Sequence, residues 1–331
     1  MNRKIMVDRS VENDDCVYLD LSIKEKLLPT ILGGIIGDAL GVPVEFKARS
    51  MCNIQEMTGY GTYNQPPGTW SDDTSLTLCL MENLIEGQDE IGLMKKFLAY
   101  REGYWTPYGR MFDIGRATDE AIERFQRGAS IDECGGKTEF DNGNGALMRI
   151  APLAFTLCNE PDFSKRKTEV ERWAMITHRH PRSTLGCIIY IEFLIRLFYD
   201  DTPSDAYRKA VDLCVRHLAG TEYEDEYEAY ERIISRELPD LQKKDIFSDG
   251  YVVHSLEAAL WCFLNHDDYS EAVLSAVNLG EDTDTISFLT GTMAGMHHRM
   301  NGIPEEWINA LARKEDIFNL CERFLQFCVK K

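Results

Sequence analysis

The chain has 331 residues, 44% of them hydrophobic, and a formal net charge of −19. That composition supports a substantial core, in one large folded unit or two small ones, and argues against disorder as the default. The acidity disfavours broad binding to nucleic acid or an anionic membrane, where neutralised phosphates supply most of the affinity, but leaves room for one small phosphorylated ligand.

Residues 1–28 are polar and acidic with weak periodicity and read as an N-terminal extension before a domain spanning 29–331; they contain no apolar stretch of signal-peptide length. After "SDDT", Leu76, Leu80 and Leu84, with Met81 and Ile85, repeat at four-residue spacing until Gly87, which predicts a helix. Ile188, Ile191, Leu194, Ile195 and Phe198 form a second apolar face. The run "GCIIYIEFLIRLF" around it is the longest apolar stretch, and Glu192 and Arg196 interrupt it, too short and polar for a bilayer span. The segment "TEYEDEYEAYER" (221–232) places Tyr223, Tyr227, Tyr230 and Ile234 at helical spacing, predicting a helix with an acidic solvated face. Two more apolar faces follow, on Ile286, Leu289, Met293, Met296 and Met300, and on Ile317, Leu320, Phe324, Leu325 and Cys328. Strand-like alternation is scarce. The expectation is an all-α, compact bundle of ten or more helices. The ten cysteines are scattered without a C-x-x-C pair, which fits reduced thiols in the cytoplasm.

Two acidic knots stand out. "GTWSDDTSLTL" offers Ser71, Asp72 and Asp73; "NLGEDTDTIS" offers Asp282, Asp284 and Thr285, with Glu281 just before. Each is readable as a helix start, with Ser71 as N-cap and first-turn acids complementing the helix dipole. Each also joins closely spaced aspartates to a hydroxyl, an all-oxygen set suited to Mg²⁺ or Mn²⁺ rather than zinc or copper. If the knots meet, two carboxylates about 4 Å apart repel by roughly 4 kcal/mol at an effective dielectric near 20, and a divalent ion reverses that sign.

Five ordered blocks, "GGIIGDALGVPVEF" (33–46), "GTWSDDTSLTLCL", "DNGNGALMRIAPLAF" (141–155), "THRHPRS" (177–183) and "NLGEDTDTISFLTGTMAG", resemble the ADP-ribosylglycohydrolase family from about residue 29 to the C-terminus. The resemblance implies an orthogonal helical bundle with two Mg²⁺ or Mn²⁺ ions at the floor of a cleft. It matches the metal ligands to Ser71, Asp72, Asp73, Asp282, Asp284 and Thr285, with Asp284 bridging both ions. The family often carries Thr where Ser71 stands and a small residue at position 281, so Glu281 is expected to face solvent. Gly143, Asn144 and Gly145 match a loop on the diphosphate and ribose, where glycines let the backbone approach an anion. His178 matches a substrate-side position, whereas His180 has no clear counterpart. Glu45 matches an acid that is catalytic in serine-specific relatives, and Asp113, in "YGRMFDIGRAT", matches a proton-transfer acid. Asp73 joins these as a catalytic candidate, and Asp38 is expected to be a buried structural acid.

The implied activity is hydrolysis of the N-glycosidic bond between ADP-ribose and arginine on a modified protein. Alternatives of the same class are serine-linked or small-molecule ADP-ribose hydrolysis. A different class is an immunity protein that binds an ADP-ribosyltransferase toxin through residues 1–28. No nucleic-acid or membrane partner is expected.

Overall fold

The helix Arg9–Gly41 runs through the middle of the molecule. This is a computed structural model that describes residues 9–330, with side chains from Leu19 onward. The part of the expected N-terminal extension in residues 1–8 therefore lies outside the described residues. The helix passes position 28 without a break, and Ile23, Lys26 and Leu27 are already buried. The segment Leu19–Val44 is long and apolar enough by composition to cross a membrane, with 94% of its window buried inside the protein. It replaces "GCIIYIEFLIRLF" as the most membrane-like stretch. Its use as a core helix accounts for its hydropathy, because a helix apolar all round must be covered on every side.

Among the described residues there are fifteen α-helices, joined by short 3₁₀ turns and three isolated β-bridges, with no extended strand. The periodic faces read from the sequence lie on helices Asp72–Ile85, Pro181–Phe198, Thr283–His298 and Lys314–Lys330. Side-chain caps begin several of them: Ser71, Asp89, Asp162, Thr202 and Asp268 each accept a first-turn N–H.

The segment 221–232 departs from the expected single helix. It folds as successive turns around a 3₁₀ turn, Glu224–Glu226, and a four-residue helix, Glu231–Ile234. Its tyrosines still face inward, but each hydroxyl is claimed by a different neighbour. Tyr223 bonds Glu171, Tyr227 the Val215 carbonyl and Tyr230 the Arg182 carbonyl, at 2.5, 3.2 and 2.8 Å. Those anchors override the helical spacing.

The central packing is that of Arg9–Gly41 against Thr283–His298. Their backbones touch along a glycine seam. A Cβ on Gly37 would lie 2.0 Å from the Ser287 carbonyl oxygen, and one on Gly291 2.1 Å from that of Gly33. At Gly41 the clash would be with Asp284 itself, 2.4 Å from its Cα. Hydroxyls staple the seam: Ser287 donates to the Gly37 carbonyl (2.7 Å) and Thr283 to that of Gly41 (2.8 Å). The second acidic knot is therefore set in place by direct backbone contact with the end of the first helix.

Candidate active site

Helix Asp72–Ile85 starts with its first three polar residues buried, an arrangement the neighbouring helix explains. Asp38 reaches across and accepts the Ser71 N–H (2.9 and 3.0 Å), the Thr74 N–H (3.2 Å) and the Thr74 hydroxyl (2.6 Å). It lies within the helix Arg9–Gly41, and by accepting from these three donors it satisfies the N-terminus of the neighbouring helix. Burial raises its pKa to about 6, with those hydrogen bonds opposing the rise. Ser71 Oγ both accepts the Asp73 N–H (3.3 Å) and lies 3.2 Å from Asp73 Oδ2.

The two knots, some two hundred residues apart, do meet: the Thr285 hydroxyl donates to Asp73 Oδ2 at 3.3 Å. Around this contact opens a cleft of about 560 Å³. Every residue expected at the site lines it except Ser71, which sits one layer behind as the N-cap. The Asp113 loop is pinned to the first knot by the Gly115 N–H on Asp72 Oδ2 (3.2 Å). Carboxylate oxygens of Glu45, Asp113 and Asp284 come within 4.8 Å of one another.

This concentration of acid has consequences for protonation. Burial first, and then neighbouring carboxylates, push Asp72, Asp73 and Asp284 well above the ordinary range. Burial, followed by the Asp113 and Asp282 charges, pushes Glu45 up to about 9. Asp113 and Asp282 also rise through burial, the latter against a hydrogen bond from Asn144. Asp73 Oδ1 and Glu45 Oε2 are buried oxygens with no hydrogen-bond partner among the described residues.

The opposite wall comes from the 143–145 loop, His178 and residues 249–251. Asn144 commits its amide to Asp282 (2.6 Å) and Ser255 (2.8 Å), and its N–H to the Gly250 carbonyl (3.2 Å). Its side chain thus orients a carboxylate of the second knot. A Cβ on Gly145 would collide with Thr118 and His178, at 2.8 and 2.9 Å, so the loop needs glycine to close against the ring. His178 is buried and held neutral, its pKa lowered to about 3 by burial and then by the Arg149 charge. Its Nδ1 pairs with the Thr177 hydroxyl at 2.8 Å. His180 caps the helix Pro181–Phe198 through the Arg182 N–H (3.2 Å), outside the cleft lining.

Several further residues complete the site. Buried Arg149 donates to the Gly145 and Trp173 carbonyls and to the Thr177 hydroxyl, tying the loop to the His178 segment. The Ser248 carbonyl accepts the Asp282 N–H at 2.9 Å. Phe46, Glu139, Phe140, Asp249 and Tyr251 form the mouth. Arg149 falls in "DNGNGALMRIAPLAF", a block that carries the family resemblance; the 248–251 turn carries only the generic turn signal of "SDGY".

The sequence profile of the ADP-ribosylglycohydrolase family matches residues 20–331. The chain belongs to the ADP-ribosylglycohydrolase family. It is 33% identical over 314 residues to ADP-ribosylarginine hydrolase Tri1 of Serratia proteamaculans, covering 93% of this chain and 81% of the relative. It is 26% identical over 304 residues to the ADP-ribosyl-[dinitrogen reductase] glycohydrolase of Rhodospirillum rubrum, covering 88% and 92%. A solved ADP-ribosylglycohydrolase-related protein complex superposes with a TM-score of 0.76 at 28% identity, covering 93% of this chain and 99% of that one. Family membership makes the chain a hydrolase.

Divalent ions fit this ADP-ribosylglycohydrolase cleft on its own chemistry. The donors are hard oxygens, two of them are buried without partners, and the crowded carboxylates are each destabilised as anions by the others. A cation at the floor answers all three.

Proposed function

We propose that this chain hydrolyses the N-glycosidic bond joining ADP-ribose to arginine in a modified protein, in the cytoplasm, with two Mg²⁺ or Mn²⁺ ions. The observation that carries it is the Thr285–Asp73 contact, which unites two hydroxyl-plus-aspartate knots at the floor of one cleft. The relatives named for arginine hydrolysis support the choice of linkage.

Asp72, Asp73, Asp282 and Asp284, with the Ser71 and Thr285 hydroxyls, would hold the ions. When bound, they supply charge neutralisation and Lewis acidity beside the ribose. The chain's own residues do the rest. Ser71 and Thr285 orient Asp73, and Asn144 fixes Asp282. Glu45 and Asp113, converging on Asp284, are placed to deliver and accept the proton exchanged with the leaving guanidine. His178, neutral and walled by Gly145, offers an uncharged face to the ribose or diphosphate, and the 143–145 backbone shapes that wall.

The test is hydrolysis of arginine-, serine- and cysteine-linked ADP-ribose side by side, with Mg²⁺ and with chelator. Metal-dependent release from arginine alone is expected. Preferential release from serine would move the assignment to an O-linked hydrolase with Glu45 as its critical acid.

A further inference from the structure

Phe46 and Glu281 are neighbours on the cleft lip, and both are non-glycine residues at φ 62°. Left-handed backbone is disfavoured for residues with a Cβ, and it persists where the surroundings over-determine it. Here they do. The Phe46 N–H donates to the Glu281 carbonyl at 2.7 Å, and the Glu281 N–H to the Lys47 carbonyl at 2.8 Å. Arg49 locks the base of the same turn, donating to the carbonyls of Leu279, Lys243 and Ile246 at 2.8, 2.6 and 2.5 Å.

The outcome is that two adjacent backbone positions, one carrying an aromatic ring and one a carboxylate, are fixed at the mouth. Phe46 is 66% exposed, an unusual state for a phenylalanine on a rigid turn, and Glu281 is exposed beside it. Neither contributes to the core, and Glu281 has no ion-pair partner among the described residues. A flat delocalised cation satisfies both at once: its face stacks on a ring while its N–H edge bonds a carboxylate.

We propose that Phe46 and Glu281 form a guanidinium-reading lip that selects arginine as the group from which ADP-ribose is removed. The inference rests on the proposed arginine linkage and adds the residues that read it. The ADP-ribose half of the substrate occupies the cleft; the arginine side chain leaves it across this lip. An uncharged leaving group gains nothing there.

The test is steady-state kinetics of the full chain with Mg²⁺ on ADP-ribosyl-arginine, with ADP-ribose as a competitive inhibitor that lacks the guanidinium. For Glu281→Gln the KM is expected to rise about fivefold, with kcat and the inhibition constant of ADP-ribose each changed less than about twofold. Phe46→Leu should act in the same direction. Glu281→Gly, which also relaxes the backbone, should reproduce the KM rise with fold intact. An unshifted KM in Glu281→Gln, or an ADP-ribose constant that rises in parallel, overturns the lip alone. A wild-type chain with no turnover on this substrate overturns the arginine assignment and the lip with it.

Discussion

The two acidic knots have nearly the same composition and are held by different physics. The first is held by charge and hydrogen bonds: Asp38 collects three donors' worth of polar groups from Ser71 and Thr74, and Ser71 closes the helix start. The second is held by shape: a glycine seam presses Asp284 onto Gly41, and hydroxyl staples fix the register. An electrostatic support yields gradually, because a weakened hydrogen bond leaves the backbone where it was. A steric support fails abruptly, since a single methyl has nowhere to go.

The largest effect is expected where the supports converge. Asp284→Asn should lower release of ADP-ribose from modified arginine by about a thousandfold or more, while far-UV circular dichroism stays unchanged. Retained turnover would remove Asp284 from the site. Gly37→Ala should destabilise the fold by about 3 kcal/mol in urea titration, because its methyl meets the Ser287 carbonyl at 2.0 Å. A loss below about 0.5 kcal/mol would show that the seam yields, contrary to the steric account.

Asp38→Asn tests the other support. The amide keeps one acceptor and loses the charge, so a loss of about 2 kcal/mol is expected, with reduced Mg²⁺ affinity and no loss of helix content. The acid cluster also sets a pH signature. Glu45, at about 9, and the strongly raised Asp72, Asp73 and Asp284 bind more protons folded than unfolded above pH 7, whereas Asp38, at about 6, has lost its contribution by then. Stability in chelator should therefore fall as pH rises from 7 to 9, a window above the ordinary titration of the histidines. Added Mg²⁺ should flatten that slope in thermal melts. A chelated protein that gains stability with pH would contradict the crowding. The smallest effect is at Glu281→Gly, where relief of the positive φ should raise stability by about 0.5 kcal/mol.

Helices such as Asp72–Ile85 and Pro181–Phe198 were legible because one apolar face must recur every 3.6 residues. The acids of both knots were legible as residue types, and their meeting was implied by the family resemblance but not by their spacing. That meeting depends on Gly33, Gly37, Gly41 and Gly291 abutting across the molecule, and although Gly33, Gly37 and Gly41 recur every four residues, that spacing does not say which helix they pack against. The Tyr–Glu segment was misread because three tyrosine anchors at helical spacing are equally served by consecutive turns. The resemblance matched Asn144 to a substrate loop; it lines the cleft, and the contact of its amide with Asp282 and Ser255 was not legible in the sequence. Glu281 stands where the family commonly has a small residue; it is exposed, as expected, and its φ of 62° shows why glycine suits that place.

The seam has a consequence for how the chain matures. Its halves, near residues 29–41 and 283–295, are some 250 residues apart in the sequence. A nascent chain emerging from the ribosome therefore carries the membrane-like stretch Leu19–Val44 long before its cover is translated. A chain stopped before residue 283 lacks the second acidic knot and leaves the core helix uncovered on that side. The seam therefore couples two features of the fold: the cover over the apolar helix and the backbone that carries Asp284 are the same element.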